Sequence, residues 1–298
     1  MSSAPVASGW SLNGNTVVSE KYIGTIDNFD FPVYTNGSEK MRVTASGNVG
    51  IGIAIPTSKL HIKGSSDSVQ FIVQAHSTQS NSNPLVKLLK NDGTDLMWIH
   101  SDFNTNVFIG YLSGKFNNVG GGAIDNTAVG YGTLSANTTG SLNTALGKRA
   151  LEANTTGGTN VAIGAGALLQ NTTGGVNIAI GYHALMSNIT ASYNLAIGHS
   201  SMLNHTSGVQ NVAVGESSMQ NSTTSNYCTA IGRDSMLGLT TGGDNTGVGT
   251  GSLYQVATGS RNTAIGGQSG FSATGSASVF VGFNAGYLNY GEHNISIG

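Results

Sequence analysis

The sequence predicts an all-β protein whose larger part is a repetitive β-solenoid, or β-roll, with coils of 17 residues. Three observations carry that expectation. Glycines recur at Gly130, Gly147, Gly164, Gly181, Gly198, Gly215, Gly232, Gly249 and Gly266 at a constant interval of 17, then at Gly282 and Gly298 after intervals of 16. A register that regular is one structural unit copied in series. Each glycine closes a short β-branched run such as Thr127-Ala-Val-Gly130 or Val161-Ala-Ile-Gly164, which alternates and is too brief for a helix. From 126 to 298 only nine charged side chains occur, namely Lys148, Arg149, Glu152, Glu216, Arg233, Asp234, Asp244, Arg261 and Glu292. Like charges stacked at the ~4.8 Å rung of a sheet would repel, so a ladder fold excludes them.

In chain order, the first module spans residues 1–64 and reads as a β-rich attachment module. Its candidate strands are 16–18, 22–25, 31–34, 41–44, 49–53 and 59–62, with turns at Asn36-Gly37 and Ser46-Gly47. Trp10 reads as a local anchor. The run Gly47-Asn-Val-Gly-Ile-Gly52 has the wrong glycine spacing for a dinucleotide loop and no helical pattern after it, so it is taken as a strand and turn. Residues 65–105 form a small β insert with strands at 69–75, 85–89 and 96–100. The solenoid shaft is assigned to 106–298, because Asn106-Val-Phe-Ile-Gly110 anticipates the repeat before its first regular copy.

Counting from the opening asparagine (Asn126, Asn143, Asn160, Asn177, Asn194, Asn211, Asn245, Asn262, Asn294), each position has its own chemistry. The fourth (Val129, Leu146, Ile163, Ile180, Ile197, Val214, Ile231, Val248, Ile265) and the ninth (Leu134, Leu151, Leu168, Leu185, Met202, Met219, Met236, Leu253) stay aliphatic and are expected to face a continuous interior. The near-constant alanine of the third (Ala128, Ala145, Ala162, Ala179, Ala196, Ala213, Ala230, Ala264) then points outward and permits close approach of another chain, which predicts a parallel homotrimer. Asparagines and the hydroxyls of Thr139, Thr156, Thr173, Thr190, Ser207, Thr224, Thr241 and Thr258 are expected to form axial ladders. Glycines at the fifth and fifteenth positions supply turns. Cys228 replaces an opening asparagine and, being the only cysteine, reads as an inert substitution.

Towards the far end Gly270 and Gly286 replace the ninth-position leucine, and Phe271 and Tyr287 are expected to refill that volume. Aromatics accumulate here, and Tyr254, Phe283, Tyr287 and Tyr290 are the candidate surface-binding residues.

A net charge of −2 and a pI near 6.4 provide no electrostatic footprint for nucleic acid or an acidic membrane surface. The start, MSSAPVASGW, lacks a basic and then apolar leader, and no segment approaches the ~20 apolar residues of a membrane span. As written, the chain is expected to be made and folded in the cytoplasm.

The steps Asn126-Thr-Ala-Val-Gly130, Asn160-Val-Ala-Ile-Gly164 and Asn194-Leu-Ala-Ile-Gly198 resemble the repeated motif of trimeric autotransporter adhesin heads, whose left-handed parallel β-rolls are wound as a trimer with shorter coils. Trp10-Ser-Leu-Asn-Gly-Asn15, Tyr22-Ile-Gly-Thr25, Met41-Arg-Val43, Gly47-Asn-Val-Gly-Ile-Gly52 and Pro56-Thr-Ser-Lys-Leu-His61 resemble tail-fibre-like proteins of phages and phage-derived particles, notably those of the Bacteroidetes kind. That resemblance implies a virion structural protein for host attachment, placed in an extracellular particle assembled in a bacterial cytoplasm, or alternatively at the bacterial cell surface. Its partners would be two further copies of itself, a tail or baseplate protein through the N-terminal region, and a host glycan or protein, with no nucleic acid and no membrane insertion.

No HExxH, CxxC, GxSxG or phosphate-loop motif is present; Gly140-Ser-Leu-Asn-Thr-Ala-Leu-Gly-Lys-Arg149 has the wrong glycine spacing and an arginine where a magnesium-binding hydroxyl belongs. His183, His199 and His205 lie in different positions of nearby coils and read as exposed polar residues rather than a metal site across a trimer axis. No catalytic residue, cofactor or metal is expected. The sequons at Asn137, Asn154 and Asn171 read as ladder residues, and the interrupted hydroxyl array ranks ice binding low. The expected function is a structural and adhesive fibre segment of a phage tail or related injection particle that spaces or presents receptor-binding surface. The alternatives are a cell-surface trimeric adhesin and a glycan-degrading tailspike, the latter needing paired carboxylates about 5 to 10 Å apart.

Overall fold

The computed structural model describes residues 28–64, 66, 69–74, 84–100 and 104–298, and the expected strands at 16–18 and 22–25, like Trp10, lie outside them. The chain divides into two compact units, 1–74 and 75–298.

In the first unit β1 (Phe31–Thr35), β2 (Ser38–Val43), β3 (Val49–Ile51) and β4 (Leu60–Ile62) form one sheet in that order. Asn36 and Gly37, at φ 49° and 67°, make the tight turn that joins β1 to β2. This is the paired left-handed geometry that an Asn-Gly hairpin favours. Gly47-Asn-Val-Gly-Ile-Gly52 is turn and strand, as its spacing suggests. Residues 69–74 carry no strand, contrary to expectation: Val69, Phe71 and Ile72 are exposed there, so the apolar run finds no sheet to bury against.

The second unit is one 14-stranded sheet. The hairpin of β5 (Val86–Leu89) and β6 (Asp95–His100) lies antiparallel on β7 (Val107–Ile109). From β7 onward every neighbour is parallel: β8 (Thr127–Val129), β9 (Thr144–Leu146), β10 (Val161–Ile163), β11 (Ile178–Ile180), β12 (Leu195–Ile197), β13 (Val212–Val214), β14 (Thr229–Ile231), β15 (Thr246–Val248), β16 (Thr263–Ile265), β17 (Val279–Val281) and β18 (Ile295–Ile297). Equivalent residues pair in register, Ala162 with Ala179 and Ala179 with Ala196, so each repeat is one coil of a parallel β-solenoid with about 11 turns. The hairpin occupies the first edge. Trp98 is buried edge-on against Tyr111 at 5.1 Å, and His100 lies against Phe108 at 5.2 Å. Covering the end of a stacked sheet removes one template for edge pairing.

The two faces of each short strand are the reverse of the expectation. The alanines of the third position are fully buried, whereas the aliphatics of the fourth are half-buried or exposed, reaching 41% for Ile231 and 46% for Ile265. Size decides this. The ninth position is buried as expected, and its leucine or methionine comes across the thin coil to fill the interior, which leaves room only for a methyl group opposite. Where the third position is large, the ninth is glycine. A Cβ on Gly114 would meet the Phe108 ring at 2.5 Å, and Cβ atoms on Gly270 and Gly286 would meet Phe280 at 2.6 and 2.2 Å. Phe280, not Phe271 or Tyr287, therefore refills the vacated volume.

Buried asparagines fix the corners. Asn143 joins both neighbouring coils: its backbone N–H donates to Asn126 Oδ1 at 3.0 Å and its Oδ1 accepts from the Asn160 backbone N–H at 3.0 Å, while its Nδ2 donates to Gly157 O of its own coil at 3.0 Å. A second buried asparagine row runs along the twelfth position, where Asn154 Nδ2 donates to Asn137 Oδ1 at 2.9 Å and Asn171 Nδ2 to Asn154 Oδ1 at 2.7 Å. Satisfied buried networks of this kind specify one register. Cys228 fits the first row as an asparagine substitute, its backbone N–H donating to Asn211 Oδ1 at 3.0 Å. The hydroxyl ladder belongs to the thirteenth position instead of the fourteenth: Thr155 Oγ1 donates to Thr172 O at 3.0 Å and Thr223 Oγ1 to Thr240 O at 3.0 Å, while Thr139, Thr156 and Thr173 are exposed.

At the fifth position glycine is required. Gly181 sits at φ 135°, and a Cβ there would lie 2.5 Å from the carbonyl oxygen of Gly198 in the next coil.

Candidate binding surface

A coil with an invariant interior can vary only where its side chains leave the roll, and in this chain variation gathers at the turn that follows each strand. The sixth position runs Tyr131, Lys148, Ala165, Tyr182, His199, Glu216, Arg233, Thr250, Gly267 and Phe283. The seventh holds Arg149, Gly166, His183, Asp234 and Gln268 among others, its non-glycine members in the left-handed conformation, with Arg149 at φ 61° and His183 at φ 56°. Five of the nine charges counted from 126 to 298 fall on these two positions: Lys148, Arg149, Glu216, Arg233 and Asp234. What reads along the chain as scattered single charges is, in the folded coil, one edge.

Within that edge, three consecutive coils form a cavity of about 150 Å³ lined by Lys148, Arg149, Ala165, Gly166, Leu169, Tyr182 and His183. The middle coil contributes only small groups at its turn, Ala165 and Gly166, so a notch opens between the cations of one neighbour and the rings of the other. His183 leans into the space that a side chain at Gly166 would take; a Cβ there would lie 2.5 Å from the imidazole. Tyr182 stacks with His183 at 3.8 Å and with His199 at 5.4 Å, which holds the ring wall in place. Arg149 Nε donates to Glu152 Oε2 at 2.5 Å, and Lys148 makes no ion pair among the described residues. Burial, reinforced by the neighbouring His199, pushes the His183 pKa below its ordinary value, so the ring is neutral at pH 7.

The aromatic candidates separate into distinct places. Tyr254 and Tyr287 belong to one stack through Phe271, with centroids 4.6 and 4.9 Å apart and planes within 6°. Phe283 lies in the sixth position, beside Gly267, and is exposed; Tyr290 is exposed beyond the end of that turn. The stack is a side-chain ladder along the tenth position, continuing a row that holds Leu169, Met186, Leu203 and Leu237 in earlier coils. Of the three histidines, His205 is not exposed: it is fully buried in the twelfth-position row, with Nε2 donating to Gly208 O at 2.8 Å and Nδ1 at 2.9 Å from Ser222 Oγ.

Comparison of the chain with protein-family models, with curated proteins and with solved structures found no match.

Proposed function

We propose that this chain is a structural and adhesive fibre segment of a phage tail or phage-tail-like injection particle, assembled as a parallel homotrimer, in which the solenoid spaces and presents a receptor-binding edge. The observation that carries this reading is the outward face of the sheet. Alternating with the buried alanines, the second and fourth positions bring Val161 and Ile163, Ile178 and Ile180, Leu195 and Ile197 to the surface, coil after coil and without a charge. The fourth position is aliphatic in every coil, while the second is threonine at Thr127, Thr144, Thr229, Thr246 and Thr263; an uncharged stripe of this kind along eleven rungs, about 53 Å at ~4.8 Å each and most apolar in its middle coils, is the kind of surface that monomers seldom leave to water. A second copy matches it along its whole length because its rungs carry the same side chains in the same order at the same spacing. The reasoning for close association thus moves from the alanines to the residues beside them. The resemblance of the Asn126-Thr-Ala-Val-Gly130 steps to trimeric adhesin heads supports three copies, and that of the N-terminal motifs to tail-fibre-like proteins supports attachment of this end to a tail or baseplate.

The test is the mass of the native protein by light scattering. Three times the 30.4 kDa chain mass is expected, with Ile180→Asp dissociating the assembly while the far-ultraviolet spectrum stays unchanged; a stable monomer of the unaltered chain contradicts the proposal.

A further inference from the structure

The geometry points to the notch between Lys148-Arg149 and Tyr182-His183 as a binding site for an acidic saccharide, a pyranose ring bearing a carboxylate. This rests on the adhesive reading above and deepens it by placing recognition on the side of the shaft rather than at its aromatic end.

The two walls of the notch offer different chemistry. On one side Lys148 and Arg149, the latter in contact with Glu152 through Nε, line a space only two rungs across, about 9.6 Å. Two cations against one carboxylate leave a local positive balance in a stretch of chain that is otherwise nearly uncharged. A carboxylate suits that wall because arginine binds it through paired parallel N–H bonds. On the other side stand Tyr182, itself exposed, and a neutral imidazole, whose polar groups both donate and accept, as the hydroxyls of a sugar do. Between them, Ala165 and Leu169 present apolar carbon to the C–H face of the ring. A bare inorganic anion would use only the cationic wall, and an apolar ligand only the floor.

The fold contains its own control. The sixth position holds Tyr131 two coils before Ala165 and Tyr182 one coil after it, so Ala165→Tyr is a side chain that this position already accepts, and it fills the notch without changing charge. Titration calorimetry of the full-length protein should detect binding of hexagalacturonate or of oligomeric N-acetylneuraminate, the two arms distinguishing a uronate from a sialate source. The methyl-esterified hexagalacturonate, which keeps the rings and loses the charge, should bind at least tenfold more weakly. Arg149→Gln and Ala165→Tyr should each weaken the preferred acid at least tenfold. Binding of neither acid, equal binding of the ester, or binding indifferent to Ala165→Tyr would overturn the inference. So would an acidic peptide, such as hexaglutamate, binding more tightly than both saccharides. Retention of the protein on host cells is followed in parallel. Retention that persists in Ala165→Tyr while the saccharides bind neither form removes the notch and leaves the adhesive reading standing; saccharide binding without cell retention does the reverse.

Discussion

The two faces of the solenoid strand invert the usual rule that the more hydrophobic side chain goes inside. Ala179 is fully buried, while Ile178 and Ile180 on either side of it reach the surface. Burial is allotted by the space available rather than by hydrophobicity. Leu185 crosses the coil from the ninth position and leaves only a methyl's width opposite, so the larger aliphatics are left for the outer face, where another chain can cover them. The coils at each end confirm the trade, since Phe108 opposes Gly114 and Phe280 opposes Gly286.

The strongest way to break this comparison is at the far end. Phe280→Ala removes a fully buried ring whose place no ninth-position side chain takes, and should cost about 3 to 5 kcal/mol by denaturant unfolding. Adding Gly270→Leu and Gly286→Leu restores the middle-coil pattern and should recover most of that loss. A triple variant no more stable than Phe280→Ala would show that the third and ninth positions do not share one volume.

A smaller effect is expected where the inner asparagine row is interrupted. His205 occupies the place of an asparagine, and the neighbouring Asn188 Oδ1 is buried without a hydrogen-bond partner. In His205→Asn, the new Nδ2 reaches both Asn188 Oδ1 and Gly208 O, for a gain of about 1 kcal/mol at pH 7. Burial holds the His205 pKa below its ordinary value. The unfolded chain therefore binds the proton more readily, and the native protein loses stability as pH falls below about 6.5. The advantage of His205→Asn should widen between pH 7 and pH 5; an advantage that shrinks with acidity would contradict the sign.

The smallest effect sharpens the outer face. Val176, exposed at φ 58°, is β-branched in a left-handed turn, which costs about 1 to 2 kcal/mol that glycine avoids, against about 0.5 to 1 kcal/mol of added backbone entropy. Val176→Gly should melt at or slightly above the unaltered protein, whereas Val161→Gly in β10 should lose about 1 kcal/mol. Equal losses at both sites would show that the turn is not strained.

Much of the fold was legible as period. The glycine interval located the strands, the ninth position marked the interior, and Asn106-Val-Phe-Ile-Gly110 marked the first coil. The side on which the alanines lie was not read, because alanine and isoleucine alternate in a run apolar throughout. The deciding clue was nonetheless present: Phe108 and Phe280 stand six residues before Gly114 and Gly286, as each alanine from Ala128 to Ala230 stands six before a leucine or methionine. Two positions that exchange bulk are in contact. Residues 69–74 misled for the opposite reason, being strand-like in composition with no partner to pair with. For the binding surface, Tyr254 and Tyr287 were seen but not their junction through Phe271. The notch was missed because Lys148, Arg149, Tyr182 and His183 are distant in sequence and adjacent only once the coils are superposed.

The central claim is that size, not hydrophobicity, sets the inside of the strand, and the thermal unfolding of Ala179→Ile beside Ile180→Ala tests it most directly. The first adds apolar bulk and the second removes it. We expect Ala179→Ile to lose about 1 to 3 kcal/mol or fail to assemble, with Ile180→Ala losing less. If Ile180→Ala is the more damaging and Ala179→Ile melts like the unaltered protein, the isoleucines face the core and the account is wrong.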